Sequence, residues 1–157
     1  MAGGVSVTEG VMMLHVLFGM LTIVAAVWVL VDVLNASETN LARIRRMSLA
    51  VAVFMWLAFF IGGYWYVTFY AADKAVILKG PWPWAHNFFM EMKEHVIFLL
   101  LLLTTYLPIA AASNLAANKQ ARSLALWVVG LIVLIGVAMD GSGAIIGVGA
   151  KLGFMPK

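Results

Sequence analysis

Four long apolar runs, at 11–34, 47–70, 84–112 and 123–139, are separated by short polar stretches. A helix needs about 20 mostly apolar residues to cross a bilayer, so the pattern predicts four membrane-spanning helices. Thr8 is the expected N-cap of the first, with Glu9 near the positive end of its dipole, and the polar segment Asn35–Asn40 ends it. Pro83 suits the first turn of the third. That helix is most strongly apolar from Val96 to Ala112, and Pro108 is placed to kink it near its far end. Beyond Asp140 the glycine-rich stretch GSGAIIGVGAKLGFMPK has no assigned structure. No internal repeat or linker divides the chain. The short connections favour antiparallel neighbours, giving an all-α fold: one membrane domain over 1–157, arranged as an up-and-down bundle of four transmembrane helices.

Composition strengthens this reading. Hydrophobic residues make up 64% of the chain and charged residues 11%, against about 25% charged in a soluble domain, and the mean hydropathy is +1.02. So few charges cannot build a water-facing shell, so the surplus apolar surface must meet lipid or partner subunits. The N-terminal MAGGVSVTEG lacks a basic region, and the apolar run after it is too long for a signal peptide, so the first helix is expected to be a retained span. No basic patch with interleaved aromatics supports nucleic acid as a partner. There are no cysteines, which excludes disulfides, thiolate metal sites, iron–sulfur clusters and haem attached through CxxCH.

Charge sets the expected orientation. An even number of spans puts both termini on one side. The loops on the other side, 35–46 and 113–122, carry Arg43, Arg45, Arg46, Lys119 and Arg122, with Glu38 as their only acid. The terminal side carries Lys74, Lys79, Lys93, Lys151 and Lys157, spread over longer segments. The dense arginine cluster points these loops to the cytoplasm. The expected location is the cell's inner membrane, with both termini periplasmic or exterior.

All three histidines fall on the terminal side. His15 lies about one turn inside the first helix, and His95 opens the apolar part of the third. His86, nine positions earlier, would lie roughly 13 Å nearer water along a helix. A histidine at membrane depth is costly unless partnered, so it marks a functional candidate. Matched depth makes His15 and His95 candidate axial ligands of one haem b, since two imidazoles hold a six-coordinate iron. Gly19, one turn from His15, with Gly62, Gly63 and Gly136 at similar depth, would make room for the flat macrocycle, and Phe59, Phe60, Phe88 and Phe98 could pack its faces. The competing reading is that the glycines serve close helix packing and each histidine merely bonds a neighbour. His86, after PWPW, reads as an interfacial residue or an alternative ligand.

The segment HNFFMEMKEH is the densest chemistry in the chain. Glu91 and His95 share a helix face, so the carboxylate could orient the imidazole. Glu91, Glu94 and His95 also resemble part of a carboxylate–histidine metal cluster, but a di-metal bundle needs a second Glu-x-x-His motif, which this chain lacks. Met12, Met13, Met90 and Met92 near the histidines allow copper handling, although methionine is equally a gap-filler. Tyr64, Trp65, Tyr66, Tyr70, Trp82 and Trp84 read as an interfacial aromatic belt. Asp32 and Asp140 read as interfacial, leaving no deeper acid for a proton relay.

Three stretches, LHVLFGMLTIVAAVW, RIRRMSLAVAVFMWLAFFIGGYW and KEHVIFLLLLLTTYLP, resemble the first three helices of four-helix b-type membrane cytochromes. The families concerned are those related to the copper-resistance-D and membrane protoporphyrinogen-oxidase-like proteins. The resemblance carries over His15 alone as a haem ligand. It also implies that a histidine–lysine arrangement matters; here Lys93 and His95 stand two apart. The expected function is a haem b electron-transfer subunit of a larger redox complex. It would link the quinone pool, quinone itself being a second candidate cofactor, to a periplasmic partner, and leave catalysis to other subunits. The alternatives are a cofactor-free structural membrane subunit and a copper or small-solute transporter.

Overall fold

The computed structural model describes residues 6–155, so Lys157 lies outside the described residues. The elements are α1 (Val7–Leu34), α2 (Leu41–Lys79), a π-turn (Ala85–Met90) running directly into α3 (Glu91–Ala110), and α4 (Lys119–Phe154), with no strand among the described residues. All four helices are long and apolar enough to cross a membrane. The protein is an all-α four-helix bundle and a multi-pass membrane protein. Its outer faces carry residues such as Leu102, Trp127 and Leu134, each at least 67% exposed, as lipid contact requires.

The helices outrun the apolar runs that predict them. α1 begins a turn before the expected start, because Ser6 and Glu9 form a capping box: the Ser6 hydroxyl accepts from the Glu9 amide at 3.3 Å, and the Glu9 carboxylate accepts from the Ser6 amide at 2.9 Å. Ser6, not Thr8, is therefore the cap. α2 runs to Lys79 rather than 70, and its 39 residues span about 58 Å, well beyond the roughly 30 Å hydrocarbon core. α4 is capped by Asn118, whose side chain accepts from the Ala121 amide. It continues through the glycine-rich stretch to Phe154.

That continuation is a packing device. A Cβ on Gly149 would meet the Ala85 Cβ at 2.8 Å, and one on Gly153 would meet the Val76 carbonyl oxygen at 2.7 Å. Among the described residues no glycine has a positive φ, so Gly149 and Gly153 are needed for close approach and not for backbone freedom.

α1 packs against α2 and α4, and α3 packs against the same two, while α1 and α3 stand diagonally opposed without contact. The first and third helices are thus not neighbours. The interior falls into two apolar cores. The larger, around Ala26, Val29, Ile44, Val51, Leu107 and Val129, fills the middle and loop end. The smaller, around Trp65, Tyr70, Ile77, Ala85, Met90 and Ile146, lies at the terminal end. At the loop end Arg43 holds the buried Asp32 through two bonds of 2.7 Å, and Asn40 caps the carbonyls of Asp32 and Asn35.

Candidate functional site

A cavity of about 380 Å³ lies toward the terminal end, beside a smaller one of about 70 Å³. His15, Lys93 and Asp140 line both. They come from α1, α3 and α4, so three helices deliver one ionisable side chain each. α2 adds Asp73, Trp65 and Tyr66 to the larger wall.

His15 is held by α2. Its Nδ1 lies 2.9 Å from the Ala58 carbonyl oxygen. A carbonyl only accepts, so Nδ1 carries the proton and Nε2 keeps its lone pair. The ring can lie this close because residue 62 is glycine: a Cβ there would stand 2.4 Å from Nδ1. Gly62 therefore makes space for the His15 imidazole itself. Gly19 and Gly136 line the smaller cavity, and a Cβ at Gly19 would meet nothing within 4 Å. Gly63 lines neither cavity.

His95 is on the other side of α3. It is exposed, lines neither cavity, and its Nδ1 bonds the Glu91 backbone carbonyl of its own helix at 2.7 Å. The reason is helical phase. Lys93, Ile97, Leu100, Thr104 and Leu107 follow an i, i+4, i+7 stripe; the first three line the cavity and the last three are buried. Two residues from Lys93 is about 200° around the helix. Matched depth alone paired His15 with the wrong residue of HNFFMEMKEH: the structure brings His15 together with Lys93.

His86 is buried in the bundle, with only 3% of it exposed. The π-turn, a geometry frequent at functional sites, carries it inward. There its Nδ1 lies 2.9 Å from the Tyr70 hydroxyl and its Nε2 3.4 Å from a Glu91 carboxylate oxygen. The Glu91 carboxylate thus faces His86, while only its carbonyl serves His95. One turn along, the Tyr66 hydroxyl donates to Glu94 at 2.5 Å. Among the described residues no three His, Asp or Glu side chains converge on a metal position, which removes the carboxylate–histidine cluster.

Met12 and Met90 line the larger cavity and Met55 and Met139 the smaller, whereas Met13 points outward. Phe59, Phe60, Phe88 and Phe98 line neither. Sequence reasoning missed Asp73, because α2 was expected to stop at 70, and treated Asp140 as an interfacial residue. The spacing Gly62, Tyr66, Asp73 carries the signal for Asp73 once α2 is extended. Comparison of the chain with family models, curated proteins and solved structures yields no match.

Proposed function

We propose that this bundle is a membrane-embedded haem b electron-transfer subunit of a larger redox complex, serving between the quinone pool and a periplasmic partner. The observation that carries the reading is His15. It is an imidazole inside the bundle, on a cavity wall, with Nδ1 committed to Ala58 and the Nε2 lone pair left free. Such an outer bond fixing tautomer and ring orientation is what metal-ligating histidines show. The walls are otherwise largely apolar, as a porphyrin requires. Lys93 shares the cavity with His15, which is the histidine–lysine neighbourhood that the resemblance to b-type membrane cytochromes leads one to seek.

His15 would hold the iron, and since His95 lies outside the cavity, the thioethers of Met12 and Met90 on its wall would be the further candidate donors. When bound, the haem would supply one-electron chemistry; the protein orients it, excludes water and sets its surroundings. Arg45, Arg46, Lys119 and Arg122 would keep the loop end in the cytoplasm, leaving the cavity toward the periplasmic face of the inner membrane.

The test is a visible spectrum of the protein purified after expression with ample haem. The reduced wild type should show b-type absorption, His15→Ala should lose it, and His95→Ala should keep it. A colourless wild type would overturn the reading and leave a cofactor-free subunit in its place.

A further inference from the structure

Two arginines at the loop end have no acid to answer them. Arg43 is taken up by Asp32 through two bonds of 2.7 Å. Glu38, the one acid of the two loops, accepts from the Asn114 amide at 2.9 Å. Arg45 and Arg46 are exposed, and among the described residues neither has a carboxylate within 4.0 Å. Arg46 reaches the Ala42 carbonyl of its own helix at 3.4 Å.

The surface beneath them is apolar. Leu49, Val53, Trp56 and Phe60 follow Arg45 at i+4, i+8, i+11 and i+15, so they continue its face of α2, and all four are exposed. α3 runs alongside with Leu102, Thr105 and Ile109 exposed in i, i+3, i+7 steps. The Trp56 indole donates to the Thr105 hydroxyl at 3.0 Å, which brings the two stripes together as one outer groove. From Leu49 to Phe60 the stripe measures about 16 Å, at 1.5 Å per residue. One leaflet's share of the roughly 30 Å hydrocarbon core is about 15 Å. With the stripe in hydrocarbon, Arg45 and Arg46 stand at the depth of the headgroup phosphates.

We propose that the α2–α3 groove binds an anionic phospholipid of the loop-end leaflet, its phosphate held by Arg45 and Arg46 and an acyl chain laid along Leu49–Phe60. A guanidinium fork matches phosphate oxygens. Two uncompensated arginines select a head with net negative charge over a zwitterionic one. The site lies on the outside of the bundle, and it does not rest on the haem reading.

The experiment titrates the full chain in detergent with phosphatidylglycerol and with phosphatidylcholine of identical chains, counting bound lipid by native mass spectrometry. It compares wild type, Arg45→Gln, Arg46→Gln and Arg122→Gln, with thermal melts to show that each is folded. Arg122 removes the same charge elsewhere: it bonds the Leu34 carbonyl of α1, across the bundle from α3. Each arginine of the site is worth roughly fivefold. Wild type and Arg122→Gln should therefore prefer phosphatidylglycerol roughly 25-fold, and Arg45→Gln and Arg46→Gln roughly fivefold. Brominated chains locate the lipid: the extra tryptophan quenching by brominated phosphatidylglycerol over brominated phosphatidylcholine should vanish in Trp56→Phe. Equal binding of the two lipids by wild type would overturn the proposal. So would an equal loss of preference in Arg122→Gln, which would mark a diffuse charge effect, or selective quenching that survives Trp56→Phe. Loss of the preference on adding inorganic phosphate at constant ionic strength would mark a site for the free anion and overturn the lipid as occupant.

Discussion

Gly62→Ala tests the core of the site with one methyl group. The added Cβ would stand 2.4 Å from His15 Nδ1, where ordinary contact begins at 3.4 Å, so the imidazole must retreat by about 1 Å. The 2.9 Å bond to Ala58 would then open past hydrogen-bonding range. Overpacking of this kind costs about 1–3 kcal/mol and the lost bond about 1 kcal/mol. Alanine's helix propensity returns about 0.5–1 kcal/mol. The net is a destabilisation of about 1–3 kcal/mol, with a displaced imidazole. Gly63→Ala is the internal control: a Cβ there meets nothing within 4 Å, so it should be neutral or slightly stabilising. Thermal melts in one detergent, read beside the haem spectrum, measure both effects. If Gly62→Ala melts with Gly63→Ala and keeps the wild-type spectrum, the account of how α2 holds His15 is wrong.

Three further outcomes follow from the geometry. His86→Ala should destabilise by about 1–3 kcal/mol, because the Tyr70 hydroxyl loses its buried partner; a melt within 0.5 kcal/mol of wild type would contradict the burial. Gly149→Val should part α4 from Ala85, and protease cleavage between residues 141 and 154 should quicken while the lower bundle resists. Because Asp32 already pairs with Arg43, reporter fusions in 36–40 and 113–118 should keep their side of the membrane in Arg43→Gln and lose it when Arg45 and Arg46 are both replaced by glutamate.

The number of spans was legible because lipid demands only length and apolarity, and the runs at 11–34 and 123–139 carry both openly. The extensions were not. Asp73, Lys74 and Lys79 dilute the end of α2, and the glycines after Asp140 look like a loop until the neighbours they approach, Ala85 and Val76, are known. For the site, His15 could be read from its depth in α1. Its partner could not be read from depth, because depth is blind to helical phase. The inward stripe through Leu100, Thr104 and Leu107 would have selected Lys93 over His95. His86 was hidden by the π-turn, whose wider turn shifts side chains off the spacing that an α-helix would give.

The glycine face of α4 ties helix formation to cavity filling. Between 141 and 153 the helix carries Gly141, Gly143, Gly147, Gly149 and Gly153, which together weaken it by about 3–5 kcal/mol relative to alanine. These last turns hold their form through packing on α2 and the π-turn, and Gly143 and Gly147 are themselves cavity wall. A ligand that fills the cavity replaces missing contacts along this marginal stretch, so binding should order it, by linkage. Opening of the same turns would give access to the cavity while leaving the larger core closed.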